Sequence, residues 1–465
     1  MKNNKFKLSI IFSIIIIVIS YFLFNLIFKD NGFTNLKTLL NNEQKQLIKK
    51  YILPYRLISQ QEVKISHQKK ELKILKTKLE AYKNKDVKDI TISKSSIKLL
   101  DNKILEKYKL NSGFYFGIHE KTPGSGYIDF FENNIFILSS RGVLAYRKNL
   151  SDDKINFKKI KNNINDFIGI NQFEKEQWFS LKDILIDKNQ VYISYTEEIR
   201  EDCWNTSVIS GIINYERIVF KRLFSPKECI HSINNVDKIF NAHQSGGRII
   251  SFDDSNILLS IGDYRSRHFA QDKDSINGKI IKININNSNY KIISMGHRNP
   301  QGLYFDKERN LILETEHGPL GGDEINLIEV DKINEQKIQN YGWAIASAGE
   351  HYGGKSEKNL KIYEKYPLFK SHSDHGFIEP LKTFVPSIAI SEIVKIGKNK
   401  YVLGSMGKNR EGDKSLYFFE LNNEKKIINL EQVKVFERIR DLSFKDNKLY
   451  LFMEDTPSIG VINLN

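Results

Sequence analysis

Cysteine is scarce in this sequence, with Cys203 and Cys229 the two cysteines among 465 residues. Their spacing matches no metal-ligand pattern, which excludes a cysteine-based metal site. In an oxidising compartment, a pair separated by the length of one β-hairpin can form a disulfide. The alternative is two free, buried thiols.

Most of the chain has little net charge, although the whole sequence has a formal net charge of +15. Residues 1–100 hold 20 of the 71 Lys and Arg but 7 of the 56 Asp and Glu, which leaves 51 basic and 49 acidic residues for the remainder. The sequence also lacks the clusters of basic and aromatic residues that nucleic-acid binding requires. We therefore expect no nucleic-acid partner.

Long apolar runs are missing apart from one near the N-terminus. Leu8–Phe28 contains no charged residue and is long enough to span a bilayer as a helix. Lys2, Lys5 and Lys7 precede it and should remain cytoplasmic. The run lacks the small-residue cleavage site of a secretory signal peptide. We predict an uncleaved, single-pass anchor over residues 1–30 in the inner (cytoplasmic) membrane, with the rest of the chain on the periplasmic or extracytoplasmic side.

Glycine is nearly absent from residues 31–95, a polar and Lys-rich segment in which Pro54 interrupts the earlier part. Apolar residues recur there at three- and four-residue steps, at Ile65, Leu72, Leu75, Leu79 and Tyr82. This spacing predicts an amphipathic helix. Three interpretations are open: a stalk, a coiled coil in an oligomer, or a helix that packs on its own domain.

Helical patterns are few after about residue 110, and a polar turn followed by an apolar strand recurs instead. It occurs at Asn134–Ser139, Gln190–Ser194, Asn256–Ser260, Asn310–Glu314, Lys400–Gly404 and Lys448–Phe452. Irregular repeats of this size fit four-stranded propeller blades with loop insertions; the alternative is coincidence among β-rich segments. We predict an all-β, six-bladed β-propeller over residues 96–465, preceded by a transmembrane helix and a helical stalk over residues 31–95.

Three segments, at 242–263, 296–303 and 316–326, are dense in Gly, His, Arg and Asp. In a propeller, such loops converge on the central axis and form a pocket. Their order and intervals resemble the glucose/sorbosone dehydrogenase family, whose soluble enzymes use pyrroloquinoline quinone (PQQ), and especially its aldose dehydrogenase branch. The resemblance covers roughly residues 110–460.

The resemblance implies roles for three catalytic residues. His243 falls at the position of the general base that removes a proton from the anomeric hydroxyl, a task suited to imidazole. Asp263 falls where a carboxylate orients that histidine. Arg298 falls beside the quinone, where a guanidinium stabilises the developing oxyanion. Without the resemblance, a core or turn histidine is an equally good interpretation of His243. For Arg298, the alternative is a structural salt bridge.

The resemblance also implies sites for PQQ and Ca²⁺. The positions that match residues of the PQQ pocket are Arg298, Asn299, His317, Asp323, Lys408, Arg438 and Arg440. Gly318 and Pro319 fall where backbone carbonyls bind the Ca²⁺ that holds and polarises the quinone. Glu324 and Tyr341 resemble residues near a second, structural Ca²⁺ site.

Two positions depart from the glucose enzymes of the family, and a third has another interpretation. His317 replaces a glutamine, in agreement with the aldose branch, and Phe384 stands where a tryptophan is usual. The pair Arg438 and Arg440 also fits a charge-alternating strand end.

The activity implied is that of a membrane-anchored oxidoreductase. It would oxidise a small sugar at C1 to its lactone by proton abstraction and hydride transfer to a Ca²⁺-bound quinone, and pass electrons to an external quinone or cytochrome. Two alternatives remain: a non-catalytic propeller that binds glycan or protein, and a Ca²⁺-dependent, lactonase-like hydrolase. The hydrolase would need several carboxylates converging on one metal.

Overall fold

The computed structural model describes the propeller region and part of the segment before it. The described residues are 61–69, 71, 72, 75, 79, 89–99, 103–119, 122–148, 156–335, 337–407 and 414–464. The predicted anchor over Leu8–Phe28 lies outside them. Within these ranges, no helix has both the length and the apolar character needed to cross a membrane.

The chain divides into two compact units, Met1–Leu75 and Lys76–Asn465. Residues 61–69 are helical, as are residues 71, 72, 75 and 79. Four apolar residues of the predicted amphipathic helix are exposed: Ile65, Leu72, Leu75 and Leu79.

The second unit is built from strands arranged in six sheets. Their strands pair antiparallel, apart from the two-residue strands at 217–218 and 339–340, which pair parallel with their neighbours. In chain order, the strands of the described residues are β1 Asp89–Ile90, β2 Ile92–Lys98, β3 Ile104–Leu110, β4 Gly126–Phe131, β5 Asn134–Ser139, β6 Leu144–Lys148, β7 Phe157–Asn162, β8 Leu181–Asp187, β9 Gln190–Arg200, β10 Cys203–Ile212, β11 Arg217–Ile218, β12 Lys221–Phe224, β13 Ile230–His231, β14 Gly246–Asp253 and β15 Asn256–Ile261. They continue as β16 Lys279–Asn284, β17 Tyr290–Met295, β18 Pro300–Asp306, β19 Leu311–Glu316, β20 Asp323–Glu329, β21 Gln339–Asn340, β22 Lys382–Phe384, β23 Ile390–Lys395, β24 Lys400–Ser405, β25 Ser415–Leu421, β26 Ile427–Lys434, β27 Ile439–Lys445, β28 Lys448–Met453 and β29 Ser458–Asn463.

Each sheet is one blade of a propeller, and the strand at its inner edge, counted as the first strand of the blade, faces the central axis. The inner strands β4, β8, β14, β18, β23 and β27 contact one another in this order, and β27 contacts β4 to close the ring. The prediction of a six-bladed, all-β propeller is confirmed. The six turn-and-strand phrases correspond to β5, β9, β15, β19, β24 and β28, the second strand of every blade.

Burial on both faces explains why those phrases are continuous apolar runs. A second strand lies between the neighbouring blades, so both of its faces pack against protein and the usual alternation of polar and apolar residues is lost. In β15 and β24, every residue after the first is buried.

The last blade joins the two ends of the propeller region. β29 pairs with β28 on one side and with β3 on the other, and β3 pairs with β2. The short strand β1 pairs with β7 in the first blade. The sheets therefore begin at Asp89, upstream of residue 96.

Helices in the propeller unit are short and lie in the connections between strands. The α-helices are Ile170–Lys175 and Leu360–Lys365, and the 3₁₀ helices are Ile164–Asp166, Ala242–Gln244, Arg267–Gln271, Val330–Asn334, Glu357–Asn359 and Ser373–His375.

Cys203 and Cys229 form a disulfide, with their Cα atoms 5.3 Å apart. Cys203 begins β10, and Cys229 immediately precedes β13, which pairs with the start of β10. The predicted disulfide is confirmed, and neither cysteine is a free thiol.

Candidate active site

A cavity of about 250 Å³ lies at the axis, where the inner strands of the blades begin. Its cationic lining residues are Lys182, Arg248, Arg265, Arg298, Arg438 and Arg440. No Asp or Glu of the described ranges lines it. A larger depression of about 570 Å³ lies at the opposite ends of the strands, but none of the predicted site residues lines it.

His243 lines this cavity from the 3₁₀ helix Ala242–Gln244, which Asn241 caps by accepting from the backbone N of His243 (2.8 Å). Its ring lies at the edge of Trp178, with the ring centroids 5.3 Å apart. The ring Nε2 is 3.1 Å from the carbonyl oxygen of Ile118. Burial lowers the pKa of His243 to about 3, and the positive charge of Lys182 contributes to the lowering.

Asp263 is fully buried behind the cavity wall and is bonded to groups other than His243. It accepts from the indole Nε1 of Trp343 (2.8 Å) and from the backbone N of Arg265 (2.8 Å). It also accepts from the amide nitrogen of Gln244 (3.0 Å), in the orientation of that amide that satisfies both of its ends. Asp263 therefore acts on the histidine-bearing turn through Gln244, and the direct partner of the His243 ring is the Ile118 carbonyl.

Arg298 is fixed from several sides. Its backbone N donates to Glu316 Oε2 (2.6 Å), and its Nη1 donates to the carbonyls of His317 (2.8 Å) and Gly318 (2.5 Å). Its Nη2 donates to the Gln244 amide oxygen (2.9 Å). The Arg298 side chain is therefore a fixed cation at the cavity, with 4% exposure and no ion pair to a described carboxylate. Its charge acts at longer range on the buried Asp263, where it opposes the rise in pKa that burial causes.

Asn299 and His317 also line the cavity. Asn299 Oδ1 accepts from the backbone N of Gly246 (3.2 Å) and from Gln301 Nε2 (3.1 Å). The His317 ring bonds through Nε2 to the carbonyl of Ile390 (2.6 Å), and burial lowers its pKa to about 3. Both side chains are thus held in place by blade backbones.

Asp323 lies outside the cavity lining, contrary to its assignment to the PQQ pocket. Its two oxygens accept from the backbone N of Gly318 (3.1 Å) and of Ile390 (3.1 Å). Burial raises the pKa of Asp323 to about 6. The carboxylate therefore shapes the loop that carries Gly318, where an added Cβ would lie 2.0 Å from the Gly322 carbonyl oxygen, so only glycine fits.

The pair Arg438 and Arg440 shares one buried carboxylate. Glu454 accepts from Arg438 Nε (3.0 Å) through Oε2 and from Arg440 Nε (2.7 Å) through Oε1. Arg438 Nη1 also donates to the Met406 carbonyl (2.8 Å), which fixes the loop after β24. Both guanidinium groups face the cavity, and Glu454 supplies one negative charge for the two of them. Lys408, which was also assigned to the PQQ pocket, lies outside the described residues.

Arg248 has a structural role although it lines the cavity. Its Nη1 contacts Asp183 (2.8 Å) and Asp441 (2.7 Å), and its Nε pairs with Glu392. These three carboxylates come from three other blades, so a single guanidinium connects four inner strands across the axis. The pKa of Arg248 is raised because the carboxylates favour its charged form.

Glu324 and Tyr341, the two positions assigned to a structural Ca²⁺ site, lie beside a buried cluster of acidic residues and one histidine in the fourth blade. Ligand atoms of His297, Glu314 and Glu316 lie within 4.8 Å of one another. Burial and the charge of Glu316 raise the pKa of Glu314 and Glu324 well above the ordinary range of a glutamate.

Oxygen atoms in this cluster are available for a cation. Asn326 Nδ2 donates to Glu314 (3.0 Å), Glu316 (3.1 Å) and Glu324 (3.5 Å), while Glu314 Oε1 and Asn326 Oδ1 have no hydrogen-bond partner. Tyr341 stacks on the ring of His297, but its hydroxyl donates to a carbonyl of β20. The carboxylate and amide oxygens are hard donors of the kind that Ca²⁺ prefers. The imidazole of His297 is not a Ca²⁺ ligand in this set, and its ring nitrogens already contact Ser294 and Glu316.

The sequence analysis did not predict some of the residues that line the cavity. Lys182 and Arg265 line the cavity, as does Tyr352, which comes from the long connection between β21 and β22. Lys182 was missed because it lies within an otherwise ordinary strand. Arg265 follows the Gly-Asp turn after β15, a position that signals the site only when it is placed next to Arg298. Phe384 is a core residue whose ring packs on Tyr417, and it does not line the cavity.

The fold and cavity together define a class of protein: a six-bladed propeller with a cationic ligand cavity at one end of its axis. A family model described as Glucose / Sorbosone dehydrogenase matches residues 179–460. The chain belongs to this family, and the resemblance inferred from the three motif segments is confirmed.

Curated relatives match shorter stretches. The aldose sugar dehydrogenase YliI of Escherichia coli is 29% identical over 177 residues, which cover 35% of this chain and 43% of that protein. Quinoprotein glucose dehydrogenase B of Acinetobacter calcoaceticus is 29% identical over 189 residues, or 30% of this chain and 38% of that protein. The uncharacterized protein slr1608 of Synechocystis is 28% identical over 222 residues, which cover 42% of this chain and 50% of that protein. The chain thus spans half or less of the length of these relatives.

Solved structures share the fold over more of the chain. A glucose dehydrogenase crystal structure has a TM-score of 0.57 and 23% identity, covering 72% of this chain and 95% of that chain. The soluble aldose sugar dehydrogenase of Escherichia coli in its apo form has a TM-score of 0.56, 22% identity and the same coverage. The PQQ-bound aldose sugar dehydrogenase of Streptomyces coelicolor has a TM-score of 0.50 and 16% identity, covering 74% and 99%.

Proposed function

We propose that this chain is a membrane-anchored, PQQ-dependent dehydrogenase that oxidises an aldose at C1 to its lactone. The observation that carries the proposal is the axial cavity, whose wall combines His243 with six cationic side chains and no described carboxylate. Such a wall suits an anionic ligand, because guanidinium groups bind carboxylates through paired, charge-assisted hydrogen bonds. The names of two relatives, an aldose sugar dehydrogenase and a quinoprotein glucose dehydrogenase, support the same activity.

The cofactor would be bound by residues of two cavity walls. Arg298 and Asn299 would contact the quinone, and Arg438 with Arg440 would bind its carboxylates, with His317 completing the wall. When bound, PQQ supplies the two-electron acceptor for the oxidation. Ca²⁺ would bind at the carbonyls of Gly318 and Pro319, because backbone oxygens are hard ligands of the kind that Ca²⁺ prefers. The Gly318 carbonyl accepts from Arg298 Nη1 in this structure, so that hydrogen bond would give way to the ion.

His243 is suited to accept the proton of the anomeric hydroxyl. Its Nε2 is bonded to a carbonyl oxygen, which only accepts, so Nε2 carries the hydrogen of the neutral ring and Nδ1 has the free lone pair. Because the pKa of His243 is lowered to about 3, the imidazole is uncharged at neutral pH and ready to act as a base.

Arg298 is suited to stabilise negative charge that develops during the reaction. Its guanidinium is already positioned by the carbonyl of His317 and by Gln244, two partners that the proposed Ca²⁺ site does not use. A donor that is held in place before the reaction costs no reorganisation when the charge appears. We assign Arg298 to this task and Asp263 to the positioning of Gln244 and thereby of the turn that carries His243.

The buried cluster of the fourth blade is proposed as the structural Ca²⁺ site. Three carboxylates and an unpartnered amide oxygen repel one another unless protons or a cation neutralise them. Glu314 and Glu316 would therefore join Glu324 as ligands. This cluster lies outside the cavity, which weakens the hydrolase alternative, since that enzyme needs converging carboxylates at the substrate.

The apolar run Leu8–Phe28 and the lysines before it support the location that we propose. A helix over this run would anchor the chain in the inner membrane and place the propeller on the extracytoplasmic side. The disulfide is consistent with an oxidising compartment. There the propeller would pass electrons to an external quinone or cytochrome.

The proposal is tested by reconstituting the purified, detergent-solubilised chain with PQQ and Ca²⁺. We expect stoichiometric PQQ binding and sugar-dependent reduction of an artificial dye, with neither in the presence of a chelator. A chain that binds PQQ but oxidises no aldose would contradict the activity. A chain that binds no PQQ would favour the non-catalytic propeller that binds glycan or protein.

A further inference from the structure

Arg265 lines the cavity, and its backbone has a left-handed conformation that residues other than glycine rarely adopt. Tyr264 and Arg265 both have positive φ angles, 51° and 69°. Such strain persists only where the surrounding structure imposes it, and it is concentrated at functional sites. Here, Asp263 holds the backbone N of Arg265 (2.8 Å), and the carbonyl of Gln244 accepts from the backbone N of Tyr264 (2.9 Å).

This backbone aims the guanidinium at its neighbour Arg298. Arg265 Nε and Arg298 Nη2 both donate to the amide oxygen of Gln244, at 3.1 Å and 2.9 Å. The ring of Tyr352 covers both groups, with its centroid 5.3 Å from the guanidinium carbon of Arg265 and 5.9 Å from that of Arg298. Two like charges are thus held together at the cavity by one shared acceptor.

No described carboxylate forms an ion pair with either guanidinium. The nearest acid, Asp263, already accepts three hydrogen bonds from Trp343, Gln244 and the backbone of Arg265. Burial and the charge of Arg298 lower the pKa of Arg265. By contrast, Arg438 and Arg440 form ion pairs with Glu454, and Arg248 pairs with three carboxylates. The cavity arginines without an ion pair to a described carboxylate are therefore Arg265 and Arg298, beside Gln244, the residue that follows His243.

We propose that Arg265 forms an anion subsite for the substrate, so that the preferred substrate is an aldose carrying a carboxylate or phosphate group remote from C1. This inference rests on the proposed function and specifies its substrate class. The guanidinium of Arg265 binds the anionic group, while C1 and its hydroxyl face His243 and Arg298. Tyr352 packs against the guanidinium and limits its access to water.

The experiment compares D-glucuronate, D-glucose 6-phosphate and neutral D-glucose as substrates of the full chain loaded with PQQ and Ca²⁺. We expect kcat/KM to be higher for at least one anionic sugar, and the pair of anions identifies which group the subsite takes. In Arg265→Gln, the ratio of kcat/KM for that anion over glucose should fall about ten- to a hundredfold, as expected for the loss of a charge-assisted hydrogen bond. Arg265→Lys should restore part of the ratio.

Arg267→Gln is the matched control, because Arg267 packs over Tyr366 and does not line the cavity; it should leave the ratio unchanged. A ratio unaffected by Arg265→Gln would overturn the subsite, and so would a loss of PQQ affinity without a change in the ratio, since Arg265 would then serve the cofactor. If the chain binds no PQQ, the proposed function fails by itself. Calorimetric titration of the cofactor-free chain with D-glucuronate, in wild type and in Arg265→Gln, still tests the anion subsite.

Discussion

The two ring nitrogens of His243 have different environments, and this difference determines what the residue can do. One nitrogen is bonded to the Ile118 carbonyl, and the other is left with a free lone pair. Neither Asp263 nor any other carboxylate of the described residues pairs with the ring. The base is therefore weak but uncharged over the whole physiological range, and it depends on its turn, rather than on an acidic partner, for its orientation.

Substitution of His243 and of Arg298 should separate base catalysis from cofactor binding. We expect His243→Gln to lower turnover by about 10²–10⁴, the usual contribution of a general base, with little effect on PQQ affinity. Arg298→Ala should weaken PQQ binding and turnover together. PQQ titration and dye-coupled sugar oxidation measure the two properties. Full turnover by His243→Gln would mean that another residue is the base.

Lys182 should influence the pH dependence of the reaction. Its ammonium donates to the carbonyls of Trp178 (2.9 Å) and Ala242 (3.2 Å), and its charge helps to lower the pKa of His243. Burial also lowers the pKa of Lys182 itself. In Lys182→Met the pKa of His243 should rise in part, because burial, the largest cause of its lowering, remains. Because only the unprotonated base is active, the acid limb of kcat/KM should move to higher pH.

Lys182→Arg serves as the control for this shift, since it keeps the positive charge and should leave the acid limb near its wild-type position. A uniform loss of rate at every pH in Lys182→Met, without movement of the limb, would indicate that the lysine only supports the fold.

At the scale of single residues, the sequence predicted the cavity better than the contacts within it. His243, Arg298 and Asn299 all reach the cavity, because their motifs immediately precede the inner strands β14 and β18, which begin there. Asp323 and Phe384 do not, because their side chains turn toward backbone and core. Such orientations depend on neighbouring blades, which are remote in sequence and leave no local pattern.

At the scale of elements, the second strand of a blade is the most predictable unit. Its continuous apolar run reflects burial between neighbouring blades, so six runs gave six blades. The first strands were harder to find, because charged residues that pair at the axis, such as Arg248 in β14 and Asp441 in β27, interrupt their apolar pattern.

The disulfide should stabilise the second blade. Cys203 and Cys229 are 26 residues apart, and closing a loop of this length in the unfolded chain contributes about 3–4 kcal/mol in the chain-entropy model. We expect the double variant Cys203→Ser with Cys229→Ser to lose about this free energy of unfolding in denaturant titrations. The reduced wild type is the matched control and should behave alike. Equal stability of oxidised and reduced protein would contradict the prediction.

The carboxylate cluster of the fourth blade should make the propeller sensitive to Ca²⁺. Adding Ca²⁺ to chelator-treated protein should raise the melting temperature, because a ligand that binds only the folded state stabilises it. In Glu314→Gln, which removes one proposed ligand charge, the Ca²⁺-dependent increase should shrink severalfold. Scanning calorimetry with and without Ca²⁺ measures it, and Mg²⁺ serves as the control ion. An unchanged increase in Glu314→Gln would place the ion elsewhere.

At the scale of the whole molecule, charge distribution and hydrophobicity predict topology. If Leu8–Phe28 anchors the chain, protease added to spheroplasts of the expression host should digest the propeller and spare cytoplasmic proteins. In a variant with Lys2, Lys5 and Lys7 changed to Glu, a smaller fraction of the chains should have the propeller outside the cytoplasm, because positive residues on the cytoplasmic flank set the orientation of the membrane helix. Complete protection of the wild-type propeller would contradict an extracytoplasmic location.

The pairing of β3 with β29 sets a time order for folding. β3 is among the first strands of the propeller to be synthesised, and β29 is the last. The sixth blade therefore has its full set of strands only after the whole propeller region has been made. Until then, β3 presents an unpaired edge, the kind of surface that attracts other chains. The ring can therefore close only once β29 has been synthesised, and the edge of β3 is exposed longest when synthesis or export is slow.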